Sequence, residues 1–503
     1  MSTLGWSVLV FSAYVVALLA YGARGARGGG IPATLASFAA GRSGLGALPI
    51  GFVTAACLAS TATFAINPGF VYRHGISALL AFTLPVAAGI AAAFVLLADR
   101  FRETSLGPDG APRLLTLPQW IGERFGSSRL RTLFSALTIG LFSYVVLVVV
   151  GSAYVVAQML GIPVGAAATG LVLVVVASTL AGGSAAHAAI NVIQGALLAV
   201  AALVLGGTAL VSLLSAGGAS LETAVAADPS LLAPFRADAA LFGDPAAVLL
   251  FPLVVGFALG CQPHVLAKAL YAGDRRGAAA RAGIATAAIF VAISVGALLV
   301  GLAARADLGP GLAQDRVAAT WVAGTFPGPV AALLALALVV AGTSTLDGLL
   351  LALGTTFAHD LARPLLARGA ASAAALDRRV LVSSRGAAAV FGGLAALAAI
   401  DPPPLVWVTG ALGVYALVAA ACPAVIAGCL GAPRPGARFV AAAAVIGPLV
   451  HVSLYASGLS PNPNATLAAG VLAGGAIVGA GRLAAARLPA RATLAPAALA
   501  VEA

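Results

Sequence analysis

Thirteen stretches of this chain are each long and apolar enough to cross a bilayer as a helix, a passage that takes about 20 mostly apolar residues. They lie at roughly 4–22, 46–71, 77–98, 132–159, 162–181, 185–214, 246–270, 281–303, 328–358, 380–399, 404–430, 437–457 and 466–488. Lipid offers no water to unpaired backbone groups, so open runs of this kind must satisfy themselves as helices. Composition agrees: 61% of residues are hydrophobic and 9% charged, where soluble domains carry about 25% charge. The expected class is an all-α polytopic membrane protein, with residues 1–503 forming one transmembrane domain. The longest interruptions, Asp99–Arg131 and Ser215–Pro245, leave no room for a folded soluble domain. The first run has no basic flank before it and reads as a retained span rather than a cleaved signal. The four cysteines lie in apolar runs without metal or disulfide spacing and read as small core residues.

A net charge of +11 would suggest a nucleic-acid partner in a soluble protein, but here its placement explains it. If the loop after the first run is cytoplasmic, 23 of the 27 basic residues lie inside. Only Arg73, Arg236, Arg305 and Arg316 fall outside. That bias is the positive-inside pattern. It sets the N-terminus outside and the C-terminus inside, and it leaves no surplus of charge to assign to nucleic acid.

Two of the runs carry polar groups at a depth where they are costly unless they face a cavity, a partner helix or an ion. In Leu333–Asp360, Ala341, Ser344 and Thr345 sit at i, i+3 and i+4 and share one helix face. In Thr54–Gly69, Ala56, Ala59 and Ser60 repeat that spacing. Two such faces could enclose a small bare cation with neutral oxygens. The hydroxyls could instead bond back to the carbonyl one turn earlier, as lone serines in membrane helices do. Asp347, the carboxylate deep in a run, is open to two readings: a proton relay or aid to ion release, or a group neutralised by Lys268 or a carbonyl. His264 reads as structural, and His187 and His451 as satisfied or interfacial. Trp407 and Tyr415 could line a cavity or simply pack. Asn464-Ala465-Thr466 matches a glycosylation sequon without a convincing context.

Helix breakers interrupt several runs: Asn67-Pro68-Gly69 in the second, Pro252, Gly256, Gly260 and Pro263 in the seventh, and Gly410, Gly413 and Pro423 in the eleventh. Breaks in corresponding positions of two halves point to a transporter built on inverted repeats. The halves would run at about 46–214 and 246–430, with extra helices at 4–22, 437–457 and 466–488. A tight Gly182-Gly183 turn would join the fifth and sixth runs.

Six segments resemble the sodium:solute symporter family, in family order: SFAAGRSGLG (Ser37–Gly46), LASTATFAINPGFVYRHG (Leu58–Gly75), LPQWIGERFGSSRLR (Leu117–Arg131), GGSAAHAAINVIQG (Gly182–Gly195), GCQPHVLAKALYAGD (Gly260–Asp274) and AGTSTLDGLLL (Ala341–Leu351). The resemblance implies a LeuT-type inverted-repeat fold and sodium-coupled uptake of a small organic solute across the cell membrane. It implies a sodium site made by the carbonyls of Ala56, Ala59 and Ala341 and the hydroxyls of Ser344 and Thr345, with Ser60 beside it. The sixth-run motif usually has Asp where this chain has Asn191, followed by Gln194, and the usual seventh-run Arg is Lys268. The solute is expected at the unwound parts of the second and seventh runs, around Ser60–Ala65 and Phe257–Gln262, with Thr61, Thr63, Phe64, Phe257, Gln262 and Trp407 as candidates. Ser60-Thr61-Ala62-Thr63-Phe64 is similar to the acetate-type Ser-Ala-Ala-Ser-Phe pattern. The seventh-run end is closer to the proline and monocarboxylate branches than to the sugar branch.

No nucleotide-binding loop, catalytic triad or metal cluster is present in the sequence, so neither an enzyme nor an ATP-driven pump is expected, and no cofactor beyond sodium as coupling ion. The expected partners are the solute, sodium and the bilayer. Two alternatives remain at this stage. One is a proton-coupled symporter of the same fold. The other is a transporter-like solute sensor, which would need a separate signalling partner because no kinase segment follows the last run.

Overall fold

The structure, a computed structural model, describes residues 2–28, 34–40, 44–215, 219–273, 275–402 and 406–487. Its long elements are α1 (Thr3–Gly28), α2 (Ala47–Leu58), α3 (Ala62–His74), α4 (Ile76–Ser105), α5 (Ser128–Leu160), α6 (Val164–Leu180), α7 (Gly182–Leu214), α8 (Ala246–Gly260), α9 (Pro263–Tyr271), α10 (Ala278–Leu308), α11 (Gly328–Leu366), α12 (Ala373–Ala398), α13 (Val406–Cys429), α14 (Ala437–Ala456) and α15 (Pro463–Arg487). Ten described helices are long and apolar enough to span, or twelve if each of two bent pairs counts as one span, and α6 is a shorter apolar helix. Each of the thirteen runs falls on one of these units. All four cysteines are buried and free.

The bent pairs, α2–α3 and α8–α9, each turn through 64°. In the first, the Ala59 N–H closes α2 on Ala55 O at 2.7 Å, after which Ala59 leaves helical geometry at φ −79°, ψ 73°. The Ser60 N–H then turns back to Leu58 O. In the second, Pro263 lacks an N–H and holds Gln262 extended at φ −62°, ψ 144°. The breakers therefore act selectively. Asn67-Pro68-Gly69, expected to interrupt the second run, lies within continuous helix. A wide turn just before it bonds the Asn67 N–H to Ala62 O, which accommodates the donor that Pro68 lacks. Gly69 instead allows close approach: a Cβ there would run into the Gln314 backbone. Pro423 sits inside an unbroken α13.

α10 lies at the centre, against α2, α3, α4 and α7. The α4–α8 crossing is made by small residues, as helix contacts in lipid commonly are. A Cβ on Gly89 would lie 2.5 Å from Phe257 N, and one on Gly260 would lie 2.6 Å from Ala93 Cβ. The Gly182-Gly183 turn is a one-residue break: Gly183 adopts φ 56° where α6 meets α7, against Phe38.

Loops that the charge pattern assigned to one side do meet. Arg102 Nε donates to Ala272 O, Arg124 to Gly428 O, and Arg131 Nε to Asp360 Oδ1 at 2.8 Å. Asp99 caps the start of α10 by accepting from the Ala279 N–H at 3.0 Å. This end is called the basic face below; Arg42 and Arg491, also assigned to it, lie outside the described residues. At the opposite face, Arg236 donates to Asp228 Oδ2 at 3.1 Å and to Arg73 O at 2.8 Å, and Arg305 lies 3.9 Å from Asp228.

Candidate functional site

α2 ends at Leu58, and the last carbonyls of any helix lack intrahelical partners. Because the Ser60 N–H is committed to Leu58 O, Ala56 O is left to a group from outside α2. α11 supplies that group. Ser344 Oγ lies 2.9 Å from Ala56 O and 3.0 Å from Ala341 O. Thr345 Oγ1 lies 3.1 Å from Cys57 O and 3.0 Å from Ala341 O. The hydroxyls thus do both things the sequence left open: they bond back along their own helix and reach across to α2. Ala56, Ala59, Ala341, Ser344 and Thr345 are all fully buried. Ala59 and Ser60 form the bend itself, and the α2 carbonyl that meets Thr345 is that of Cys57. The Cys57 thiol in turn reaches Ser344 O at 3.6 Å.

Two residues beyond Thr345, Asp347 faces α6 and α7. It accepts from Thr179 Oγ1 at 2.5 Å and from His187 Nδ1 at 2.8 Å. The Lys268 ammonium, from α9, meets the other ring nitrogen of His187. Asn191 donates to His187 O at 3.0 Å and accepts from the Cys57 thiol at 3.8 Å. One turn further along α7, Gln194 Nε2 donates to Tyr14 OH at 2.8 Å, and Tyr14 OH lies 2.6 Å from Thr343 Oγ1. A polar seam therefore runs from α1 through α7 to α9, alongside the hydroxyl pair.

The seam joins Asp347 and Lys268, which the sequence offered as a pair, to residues that sequence reasoning kept apart. His187 is buried at the centre of it with both ring nitrogens partnered, the satisfied rather than the interfacial alternative. Thr179, Tyr14, Thr343 and the Cys57 carbonyl were not singled out. The spacing of His187, Asn191 and Gln194 at i, i+4 and i+7 was the available signal, since it draws one polar stripe down an apolar helix.

The solute candidates separate. Thr61 Oγ1 is turned to Ser152 Oγ at 3.1 Å, beside Gly342. Thr63 is buried, and its N–H donates to Ser60 O at 2.9 Å. Phe64 lines a cavity of about 370 Å³ with Leu4, Ser7, Gln158, Ala297 and Val322 among its walls. Gln262 is buried at the α8–α9 bend, with its Oε1 unpartnered among the described residues. Phe257 is half-buried at the α4–α8 crossing. Trp407's side chain lies outside the described part of the structure.

Comparison with solved structures gives the fold. A Na+-coupled sialic acid symporter, in a substrate-bound outward-open state, superposes with a TM-score of 0.77 at 17% identity, over 96% of this chain and 98% of that one. A nucleobase-cation-symport-1 family transporter, closed around bromovinylhydantoin, superposes with a TM-score of 0.52 at 15% identity, over 90% of this chain and 95% of that one. At such identities the likeness carries the LeuT-type architecture alone. A search of curated proteins found no significant match. The sodium:solute symporter family matches residues 37–430, a range that contains both bent pairs, the hydroxyl pair and all of the polar seam except Tyr14. This chain is a multi-pass membrane transporter rather than an enzyme, and it belongs to the sodium:solute symporter family.

Proposed function

We propose that this protein couples inward sodium movement to uptake of a small organic solute, a monocarboxylate or an amino acid such as proline. The observation that carries the reading is the meeting of the Ser344 and Thr345 hydroxyls with the carbonyls at the end of α2. Two O–H protons there face three carbonyls, those of Ala56, Cys57 and Ala341, so acceptors outnumber donors. A bare cation suits that imbalance because it takes hydroxyl and carbonyl oxygens alike. The proposed ligands are the carbonyls of Ala56, Ala59 and Ala341 and the hydroxyls of Ser344 and Thr345. Neutral oxygens suit a monovalent ion, which needs less charge compensation than a divalent one.

Coupling follows from the bend. The Ala59–Thr61 segment carries ion ligands on its α2 side and solute candidates on its α3 side, so ordering it for one cargo favours the other, reciprocally. Thr61, Thr63, Phe64 and Gln262 are the proposed solute contacts. Binding would close the outer path, and rocking of the core helices would open the inner one. The basic face would lie in the cytoplasm, with the N-terminus outside. The solute class rests on the likeness of Ser60–Phe64 to the acetate-type pattern and of the seventh-run end, Gly260–Asp274, to the proline and monocarboxylate branches. Proteoliposomes offered labelled acetate, pyruvate or proline, in sodium against choline at fixed pH, test the reading. Sodium-dependent accumulation of one of them is expected. Accumulation driven by a pH gradient and indifferent to sodium would overturn it.

A further inference from the structure

Lys268 is the chain's only lysine and is 2% exposed, deep in the protein. Its ammonium can only donate, so His187 Nε2 must accept from it, and the Nδ1–H of the same ring is then the donor to Asp347. The result is a directed chain, ammonium to neutral imidazole to carboxylate. Its members come from three elements: α9, the second half of a bent pair; α7; and α11, two residues past the hydroxyl pair. Other ionisable groups face the chain: Cys57 of α2, Tyr14 of α1, and His264 and Tyr271 of α9, with the Tyr271 ring 5.3 Å from Lys268 Nζ.

On the basic-face side of this chain lies a small cavity of about 40 Å³. Lys268, His264, Gly348, Ala352, Thr355 and Thr116 are among its walls. His264 Nδ1 and Thr355 Oγ1, both buried, have no hydrogen-bond partner among the described residues. Thr116 leads onward, donating to Asp360 Oδ2 at 2.6 Å, where Arg131 also binds. Along α11 the positions 341, 344/345, 348, 351/352, 355/356 and 359/360 recur at helical spacing on one face. That face runs from the hydroxyl pair to the basic face, and Lys268 crosses it just beyond Asp347.

We propose that Lys268 is a positioning residue of the transport cycle. Tied to Asp347 through His187, it pins α9 against α7 and α11 and closes the passage between the hydroxyl pair and the small cavity. The tie must part before a cation can leave along α11 toward the basic face. Two properties suit it to this. A buried ionic tie is either made or broken, because parting it strands both charges in a low-dielectric setting. An ammonium beside the passage also repels a sodium ion directly. The assignment of the passage to sodium rests on the proposed coupling; the tie itself does not.

The test reads the cavity without sodium or solute. A cysteine replaces Thr355 in a background whose native cysteines are serine, and a membrane-impermeant thiol reagent is applied from the basic-face side. With Lys268 present, labelling is slow. The uncharged pair Lys268→Met with Asp347→Asn, which leaves no stranded charge to unfold the protein, is expected to speed labelling by about tenfold or more, the scale of a typical coupling free energy. Lys268→Arg is expected to restore slow labelling by keeping the charge. Equal labelling of the uncharged pair and the parent, in protein that remains folded, overturns the proposal. Sodium-independent uptake by the unaltered protein would remove the proposed coupling, while the labelling rates would still decide the role of Lys268.

Discussion

His187 Nδ1 donates to Asp347 Oδ2 across 2.8 Å, and the same ring receives Lys268 on its far side. Two opposite charges are thus joined through one neutral imidazole, with no water needed between them. Removing one charge from such a pair leaves the other buried and uncompensated, at a cost of about 3–5 kcal/mol, whereas removing both is far milder. Asp347→Asn alone is therefore expected to lower the melting temperature of the purified protein sharply. Adding Lys268→Met should recover most of the loss. A double variant that melts at the sum of the two single losses would show that the charges do not act as a pair.

Gly342 offers a purely steric prediction. A Cβ at this position would collide with Ser152 Oγ and lie 2.7 Å from Thr61 Oγ1. Gly342→Ala should destabilise the protein by about 1–3 kcal/mol, the usual range for overpacking. It should also force Thr61 away from Ser152. Ser152→Ala removes the colliding atom and should rescue part of the loss. If the alanine is tolerated with unchanged melting and uptake, α5 and α11 are not held as closely as the approach of Ser152 to Gly342 indicates.

Much of this arrangement was legible in the sequence, for reasons that also explain what was not. Every apolar run became a helix because lipid leaves the backbone no alternative. The i, i+3, i+4 spacing of Ala341, Ser344 and Thr345 placed them on one face whatever the tertiary packing. Which breaker breaks was not legible. Asn67-Pro68-Gly69 was the breaker the residues offered, yet a wide turn absorbs that proline and the chain bends at Ala59–Thr61, where only the family resemblance, with its unwound part around Ser60–Ala65, gave a signal. The partners of Asp347 were legible only in part. Lys268 could be suspected from charge, but His187 and Thr179 reach Asp347 through tertiary packing that spacing within one helix does not reveal.

At the face opposite the basic one, Asp228 gives a pH prediction. Burial works to raise its carboxyl, but the Ser230 hydroxyl and the Arg236 guanidinium beside it outweigh that and hold it below its ordinary value. A carboxyl whose pKa is lower folded than unfolded adds stability above the unfolded pKa, and that contribution is lost as pH falls through the folded value. Asp228→Asn should therefore melt lower than the parent at neutral pH. The gap should close in acid, below the ordinary carboxylate pKa of about 3.9. A gap that persists unchanged into acid would assign the effect to packing of the Asp228–Ser230 turn.

The charge pattern itself can be checked at Arg275-Arg276, exposed residues between α9 and α10. An impermeant label on a cysteine there should react only from the cytoplasmic side. Reaction from outside would invert the orientation proposed for every span.

The proposed sodium site gives the sharpest expectation. Ser344→Ala and Thr345→Ala each delete one hydroxyl that now bridges α11 to α2, at 2.9 Å from Ala56 O and 3.1 Å from Cys57 O respectively. Alanine keeps the helix, so the change is confined to the site. Losing a partner to a charged group costs about 1.5–3 kcal/mol, or roughly a tenfold to hundredfold loss of affinity. The sodium concentration for half-maximal uptake should rise by that factor in each variant. Solute affinity measured at saturating sodium should change little, because Thr61, Thr63 and Phe64 lie on the other side of the bend. Ala341 contributes only its carbonyl, so Ala341→Gly should act through helix stability more than through the ion. If both hydroxyl variants keep the parent's sodium dependence, the cation does not bind between α2 and α11. The excess of acceptors there would then have to be met by water.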